Sequence, residues 1–248
     1  MNAFVEKNNL FNGELRCDQY REGYRFSIDA VLLAHFISVK KNERILDLGT
    51  GSGIISLILL YRYADIIAEC SGVEVQKSLF DLAMSNIRKN KFEHKNKIFH
   101  CDVTKIKNCC LAESYDRIIC NPPFYPRDSG RTNTKTEESI ARHQTIGGIG
   151  DFLAGAAHAV KNRGSVYFIY PAELLGEFLI IAAHHKLEGK NLRFIYSYPN
   201  SAKGAKLVLI KCIKNGGKGI LVSNPLYIYT QKNGPYTSEV ESYYIKQP

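Results

Sequence analysis

The chain has 248 residues, 45% of them hydrophobic, enough to bury the core of one α/β domain. Its 33 Lys+Arg against 24 Asp+Glu give a formal charge of +9, a surplus that suits a polyanionic partner such as nucleic acid, although basic charge also serves solubility alone. The seven cysteines include no C-x-x-C pair, the first ten residues are polar and mixed, and no run nears the roughly 18 apolar residues of a membrane span, so a disulfide scaffold, a zinc module, a secreted chain and a membrane protein are all disfavoured, and a cytoplasmic protein is expected.

In chain order, Ser27 can cap a helix over Ile28 to Phe36, with Asp29 well placed in its first turn. Arg44 to Leu48 reads as a short buried strand, and Ile54 to Tyr63 as the helix after it. Ala68 to Val75 carries a second strand, Gln76 to Lys89 a helix, Lys97 to Cys101 a third strand and Tyr115 to Cys120 a fourth. Phe152 to Val160 is helical, Gly164 to Tyr170 extended, Leu174 to His185 helical, and Leu192 to Ser197 and Ala205 to Ile213 extended. Strands alternating with helices predict a mostly parallel sheet with helices on both faces, in one domain spanning 1–248. The polar stretch 126–150 is too long for an ordinary connection and reads as a functional loop. The tail 219–248, with Tyr227, Tyr229, Tyr236, Tyr243 and Tyr244, reads as edge strands or a hairpin. Stacking on RNA is one role open to those tyrosines.

Two stretches carry chemistry. Asp47-Leu48-Gly49-Thr50-Gly51-Ser52-Gly53 follows the first strand, and its glycines permit a tight strand-to-helix turn with close backbone approach to a ligand. It is neither the G-x-G-x-x-G of dinucleotide sites nor a phosphate loop, which needs Gly-Lys-Ser/Thr. An acidic residue before the first glycine repels a pyrophosphate and attracts an ammonium, which favours S-adenosylmethionine over NAD. Glu74, ending the second strand, can accept ribose hydroxyls, and Asp102, ending the third, can accept an adenine amine; Val75 and Val103 follow them. One such acid is commonly a turn residue, but three in sequence at strand ends are hard to explain that way.

Asn121-Pro122-Pro123-Phe124 follows the fourth strand. Two prolines fix φ twice and remove two backbone donors, leaving an acceptor-rich corner beside an aromatic ring. Such a corner can grip a planar amine, although an ordinary Pro-rich turn would read alike.

Together these stretches resemble class I methyltransferases acting on amines, with a Rossmann-like seven-stranded sheet. Gly23 to Ala34 (Gly-Tyr-Arg-Phe-Ser-Ile-Asp-Ala-Val-Leu-Leu-Ala) narrows this: it closely resembles the bacterial tRNA adenine-N6 methyltransferases that modify valine tRNA beside the anticodon. Ala141-Arg142-His143-Gln144 is similar too, with Gln144 where that family usually has Glu, as is Ser201-Ala202-Lys203. The resemblance implies methyl transfer to an adenine N6 amine, with Asn121 and Pro122 accepting from that amine, Phe124 stacking on the base, and Pro123 and Tyr125 completing the pocket. It implies Asp47, Gly49, Gly51, Gly53, Glu74, Val75, Asp102, Val103 and Asn121 for the methyl donor, with the segment 1–40 closing over it and Arg25 near its carboxylate. Arg142, His143 and Lys203 are expected to meet tRNA, no metal is expected, and a monomer is the expected state. The Asn-Pro-Pro-aromatic corner also occurs in protein-glutamine and rRNA-guanine enzymes. The glutamine enzymes usually carry a helical domain, for which the roughly 40 residues before the glycine turn are too few.

Overall fold

Alternation of apolar side chains along the central strands decides which helices cover which face. In the strand Arg44–Leu48, Ile45 points into one core while Leu46 and Leu48 point into the other, all three fully buried. A strand buried on both faces reads as a nearly continuous apolar run, and that is how Arg44–Leu48 and Tyr115–Cys120 read.

The computed structural model describes residues 5–21, 28–123 and 148–245. In chain order the elements are β1 (Val5–Leu10), β2 (Leu15–Tyr20), α1 (Ile28–Phe36), β3 (Arg44–Leu48), α2 (Ile54–Tyr63), β4 (Glu69–Glu74), α3 (Lys77–Lys89), β5 (Ile98–His100), a 3-10 turn (Val103–Asn108) and β6 (Tyr115–Cys120). There follow α4 (Ile149–Ala159), β7 (Val160–Pro171), α5 (Leu175–His184), β8 (Leu187–Tyr196), β9 (Leu207–Lys214), β10 (Leu221–Val222), β11 (Leu226–Tyr227) and α6 (Ser238–Ser242). The sheet order is β10-β8-β9-β7-β6-β3-β4-β5, with β11 also on β8. Every pairing is parallel except those of β9, which runs antiparallel to β7 and β8. Side chains of α1, α2 and α3 join the core on one face, with Val240 of α6; those of α4, α5 and the 3-10 turn join the core on the other.

The seven expected strands are β3 to β9, and the two-residue strands β10 and β11 extend the sheet to nine. α4 starts at Ile149 rather than Phe152, because the Gly148 N–H donates to Asp151 Oδ2 (2.8 Å) and sets the helix start one turn earlier. The tail is edge strand only in part. After β11, Tyr229 and Tyr236 form a bridge, and Thr237 accepts from Val240 N–H to start α6. The β1–β2 hairpin was not expected, although its turn holds Asn12 and Gly13 at φ +55° and +91°, the Asn-Gly signal of a tight reversal. The Ser27 cap and most of the loop 126–150 fall outside the described residues.

All seven cysteines are free. Among the described residues, no helix is long and apolar enough to cross a membrane, and no cluster of His, Cys, Asp or Glu could hold a metal ion. The chain runs outward from β3 through β4 to β5, then returns to the other side of β3 for β6 and β7. That reversal makes β3 and β6 the switch point of the sheet, and in open α/β sheets ligands bind at the carboxyl ends of the strands there.

Candidate active site

Strand register aligns the site. Leu48 of β3 pairs with Val73 of β4 on one side and Cys120 of β6 on the other. The next residues, Glu74, Gly49 and Asn121, therefore stand side by side at the carboxyl edge. With strands about 4.8 Å apart, the backbones of Glu74 and Asn121 lie roughly 10 Å from each other, with Gly49 between. Glu74 pairs in turn with His100, and Asp102 follows two residues on.

The glycine turn is held from below. The N–H groups of Gly49 and Thr50 both donate to the Val73 carbonyl (2.9 Å each), and Gly51 N–H donates to Glu74 Oε2 (2.9 Å). Gly49, Gly51 and Gly53 have φ of +72°, +58° and +83°, the left-handed region that favours glycine. A Cβ on Gly49 would also come within 3.2 Å of the Phe152 ring on α4. Glu74 receives a second N–H, from Gln76, at Oε1 (2.8 Å). Burial raises its pKa, against the pull of those N–H groups. Each oxygen keeps a lone pair for a further donor.

Asp47 lies under the same turn, fully buried. Its Oδ2 accepts from the hydroxyls of Thr50 (2.7 Å) and Ser56 (3.2 Å), while Oδ1 is buried with no partner. Burial pushes its carboxyl up to about 6, in spite of the two hydroxyls. An unpaired buried acceptor is costly, so Oδ1 invites a bound donor. Its neighbour Cys120 is fully buried, with a thiol held well above its usual range by burial and by the Asp47 charge.

At the end of β6, Pro122 is buried and Asn121 and Pro123 are half-buried. Asp102 is a cap, its Oδ1 accepting from Thr104 N–H (2.9 Å). The Val75 carbonyl is bonded to His100 Nε2 (2.9 Å). Val103 is buried, and a Cβ on Gly155 of α4 would meet its Cγ2 at 2.9 Å. Lys203 is exposed on the connection 197–206, which leaves β8 at the same edge of the sheet as Asn121. Arg25, Phe124, Tyr125, Arg142, His143 and Gln144 lie outside the described residues.

Three features escaped sequence reading. Thr50, three residues after Asp47, orients the carboxylate; a short-range Asp-x-x-Thr pattern after a strand was the available signal. Ser56 left no local signal, since only the first turn of α2 brings its hydroxyl to Asp47. Asn86 of α3, fully buried, ties the β1–β2 hairpin to the glycine turn. Its Nδ2 donates to the carbonyls of Ser52 (2.9 Å) and Asp18 (3.0 Å), and its Oδ1 accepts from Asp18 N–H (2.9 Å). Lys89, one turn on, pairs with the Asp18 carboxylate.

The family model described as methyltransferase small domain matches residues 25–188. A tRNA1(Val) (adenine(37)-N6)-methyltransferase of Pedobacter heparinus is 27% identical over 231 residues, 93% of this chain and 94% of that one. A protein of the same name from Trichodesmium erythraeum is 28% identical over 160 residues, 64% of this chain and 66% of its own. A solved structure from Agrobacterium tumefaciens, described as a predicted O-methyltransferase, superposes with a TM-score of 0.70 at 20% identity, covering 87% of this chain and 94% of that one. The TYW2 protein of Pyrococcus horikoshii, solved in complex with MeSAdo, gives 0.58 at 17% identity, covering 87% and 73%.

Proposed function

The chain belongs to the methyltransferase small domain family, and from that premise we propose that it transfers a methyl group from S-adenosylmethionine to the exocyclic N6 amine of an adenine in tRNA. The names of the relatives support adenine 37 of valine tRNA as the target. The observation that carries the reading is the alignment of Glu74, Gly49 and Asn121 across the switch point, with the partnerless Asp47 oxygen beneath.

The residues fit the donor. Glu74 would accept its ribose hydroxyls, and Asp102, with Val75 and Val103, would bound its adenine. The turn of Gly49, Gly51 and Gly53 lets backbone approach closely, and Asp47 matches its ammonium. Arg25 is assigned to its carboxylate. Bound S-adenosylmethionine supplies a methyl group already activated on a sulfonium, so the protein's task is alignment.

Asn121 Oδ1 and the Pro122 carbonyl would each accept one N–H of the adenine amine. Two such hydrogen bonds turn the amine lone pair out of the ring and toward the methyl, so no strong base is needed beforehand. Pro122 is buried and, like Pro123, has no N–H to compete for the carbonyls, which keeps the corner an acceptor. Phe124 and Tyr125, next in the chain, are assigned to stacking on a base presented out of its loop, a contribution of about 1–3 kcal/mol for a good stack. Arg142, His143 and Lys203 are assigned to tRNA phosphates.

Asn121→Ala tests this. It should still bind the donor by titration calorimetry and lose transfer to unmodified tRNA by at least about 10²-fold, the loss typical of a removed positioning hydrogen bond in a reacting site. Digestion of the wild-type product should give N6-methyladenosine. Unchanged transfer by the variant, or label on guanine or on a protein glutamine, would overturn the reading.

A further inference from the structure

We propose that the tyrosine column Tyr229–Tyr236–Tyr244 is a stacking platform for unpaired bases of the RNA that the active site works on. The proposal rests on the tRNA reading above and adds a second point of contact to it. The three rings lie nearly parallel: Tyr229 and Tyr236 have centroids 5.3 Å apart at 19°, and Tyr236 and Tyr244 5.7 Å apart at 4°. Tyr229 and Tyr236 remain 37% and 38% exposed, while Tyr244 is half-buried against the core, so the column rises from the core to a surface formed by the first two rings. The rings cover the faces between them, so the face left for a base is the outer one of Tyr229, at the exposed end of the column, and it suits any base, because every base has a π-face.

Topology places the column on the catalytic edge. β8 runs parallel to β6 and β7, because β9 reverses direction between β7 and β8. β11 runs parallel to β8, and just beyond it Ile228 N–H donates to Tyr196 O (3.0 Å) and Tyr229 N–H to Ser197 O (2.8 Å). Tyr229 therefore sits past the carboxyl end of β8, on the edge that holds Asn121. From β6 across β7, β9 and β8 to β11 is four strand spacings, roughly 19 Å. At about 3.4 Å per stacked base, that is a reach of some five nucleotides.

Charge suits the same partner. Lys232 is exposed in the loop between Tyr229 and Tyr236. On the other flank of the β8 end, Lys203 and Lys206 are exposed, and Lys206 N–H is bonded to Ile195 O (3.0 Å). Glu239 on α6 is paired with Arg193 (2.6 Å). Cations on both flanks of an aromatic column make a sequence-tolerant single-strand site.

The test compares Tyr229→Leu/Tyr236→Leu with Tyr229→Phe/Tyr236→Phe, using unmodified tRNA and an unstructured oligoribonucleotide as probes. The leucine pair keeps apolar bulk and loses the ring faces. Its RNA dissociation constant should rise between about 5- and 150-fold, while the phenylalanine pair stays near wild type. Affinity for S-adenosylmethionine should be unchanged in both. Should the leucine pair misfold and lose donor binding, the single Tyr229→Leu, at the end of the column, reads the same contrast. Equal RNA binding by the leucine and phenylalanine variants, whether both strong or both weak, overturns the platform. A wild-type protein that binds RNA through these rings but methylates a guanine of RNA sinks the tRNA-adenine reading and leaves the platform standing, whereas methylation of protein alone overturns both. A wild type that binds neither RNA overturns both.

Discussion

Asp47 holds two hydroxyls with one oxygen and nothing with the other, and it does so with no exposure to water. Burial raises its carboxyl from 3.8 to about 6, so between those values the folded chain holds a proton that the unfolded chain has lost. An acid raised on folding stabilises the fold fully below its unfolded value, and the benefit fades as pH climbs through the folded one. Ligand-free protein should therefore lose stability between pH 4 and 6 as pH rises, by on the order of 3 kcal/mol from this group. Asp47→Asn should remove that part of the slope in melts taken across the range; an unchanged slope would place the linkage elsewhere. At this scale the sequence was a good guide wherever backbone geometry demands a residue type. Gly49, Gly51 and Gly53 occupy left-handed positions, and Pro122 and Pro123 strip donors from a corner, so both left a mark that can be read locally. Thr50 and Ser56 act only through where their hydroxyls arrive, and Ser56 comes from another element.

Among elements, the β1–β2 hairpin is the part the sequence hid. Its buried residues Leu15 and Cys17 alternate as a strand should, but what they face is set by α2 and α3 and not by neighbours in the chain. Asn86 is bonded to both the hairpin and the Ser52 carbonyl of the glycine turn, while Lys89 and Asn90 of the same helix region hold the hairpin at Asp18 and Arg16. Asn86→Ala would leave one buried N–H and two buried carbonyls without that partner, a loss of roughly 2–4 kcal/mol. Because one of those carbonyls is that of Ser52, donor affinity should fall along with melting temperature. A variant that melts early yet binds the donor at wild-type strength would show the hairpin to be a stabilising element only. β3 and β6, by contrast, were legible almost to the residue, since they are buried on both faces and bounded by glycine or proline, whereas β7 begins at Val160 rather than Gly164 and β8 at Leu187 rather than Leu192.

For the whole molecule, a formal +9 spread over 248 residues predicts binding that weakens with salt. If the chain neutralises only three phosphates, raising salt from 50 to 200 mM should weaken tRNA binding roughly 20- to 40-fold. Affinity for S-adenosylmethionine, a small ligand, should barely move in the same titration. Salt-insensitive tRNA binding would mean that the positive charge serves solubility. The sheet order was foreseeable from alternating elements, but the edge was not. β10, β11 and α6 are held by pairing to β8 and by Thr237, contacts made late in the chain and too short to carry a periodic pattern. One consequence follows from the seating of Glu74 and Asn121 on opposite sides of β3. The two halves of the site hang from different strands and share only the glycine turn between them. On the assignment proposed above, change at Pro122 and Pro123 would reshape the acceptor corner and leave Glu74 and the glycine turn as they are, which would make this edge of the sheet an evolvable one.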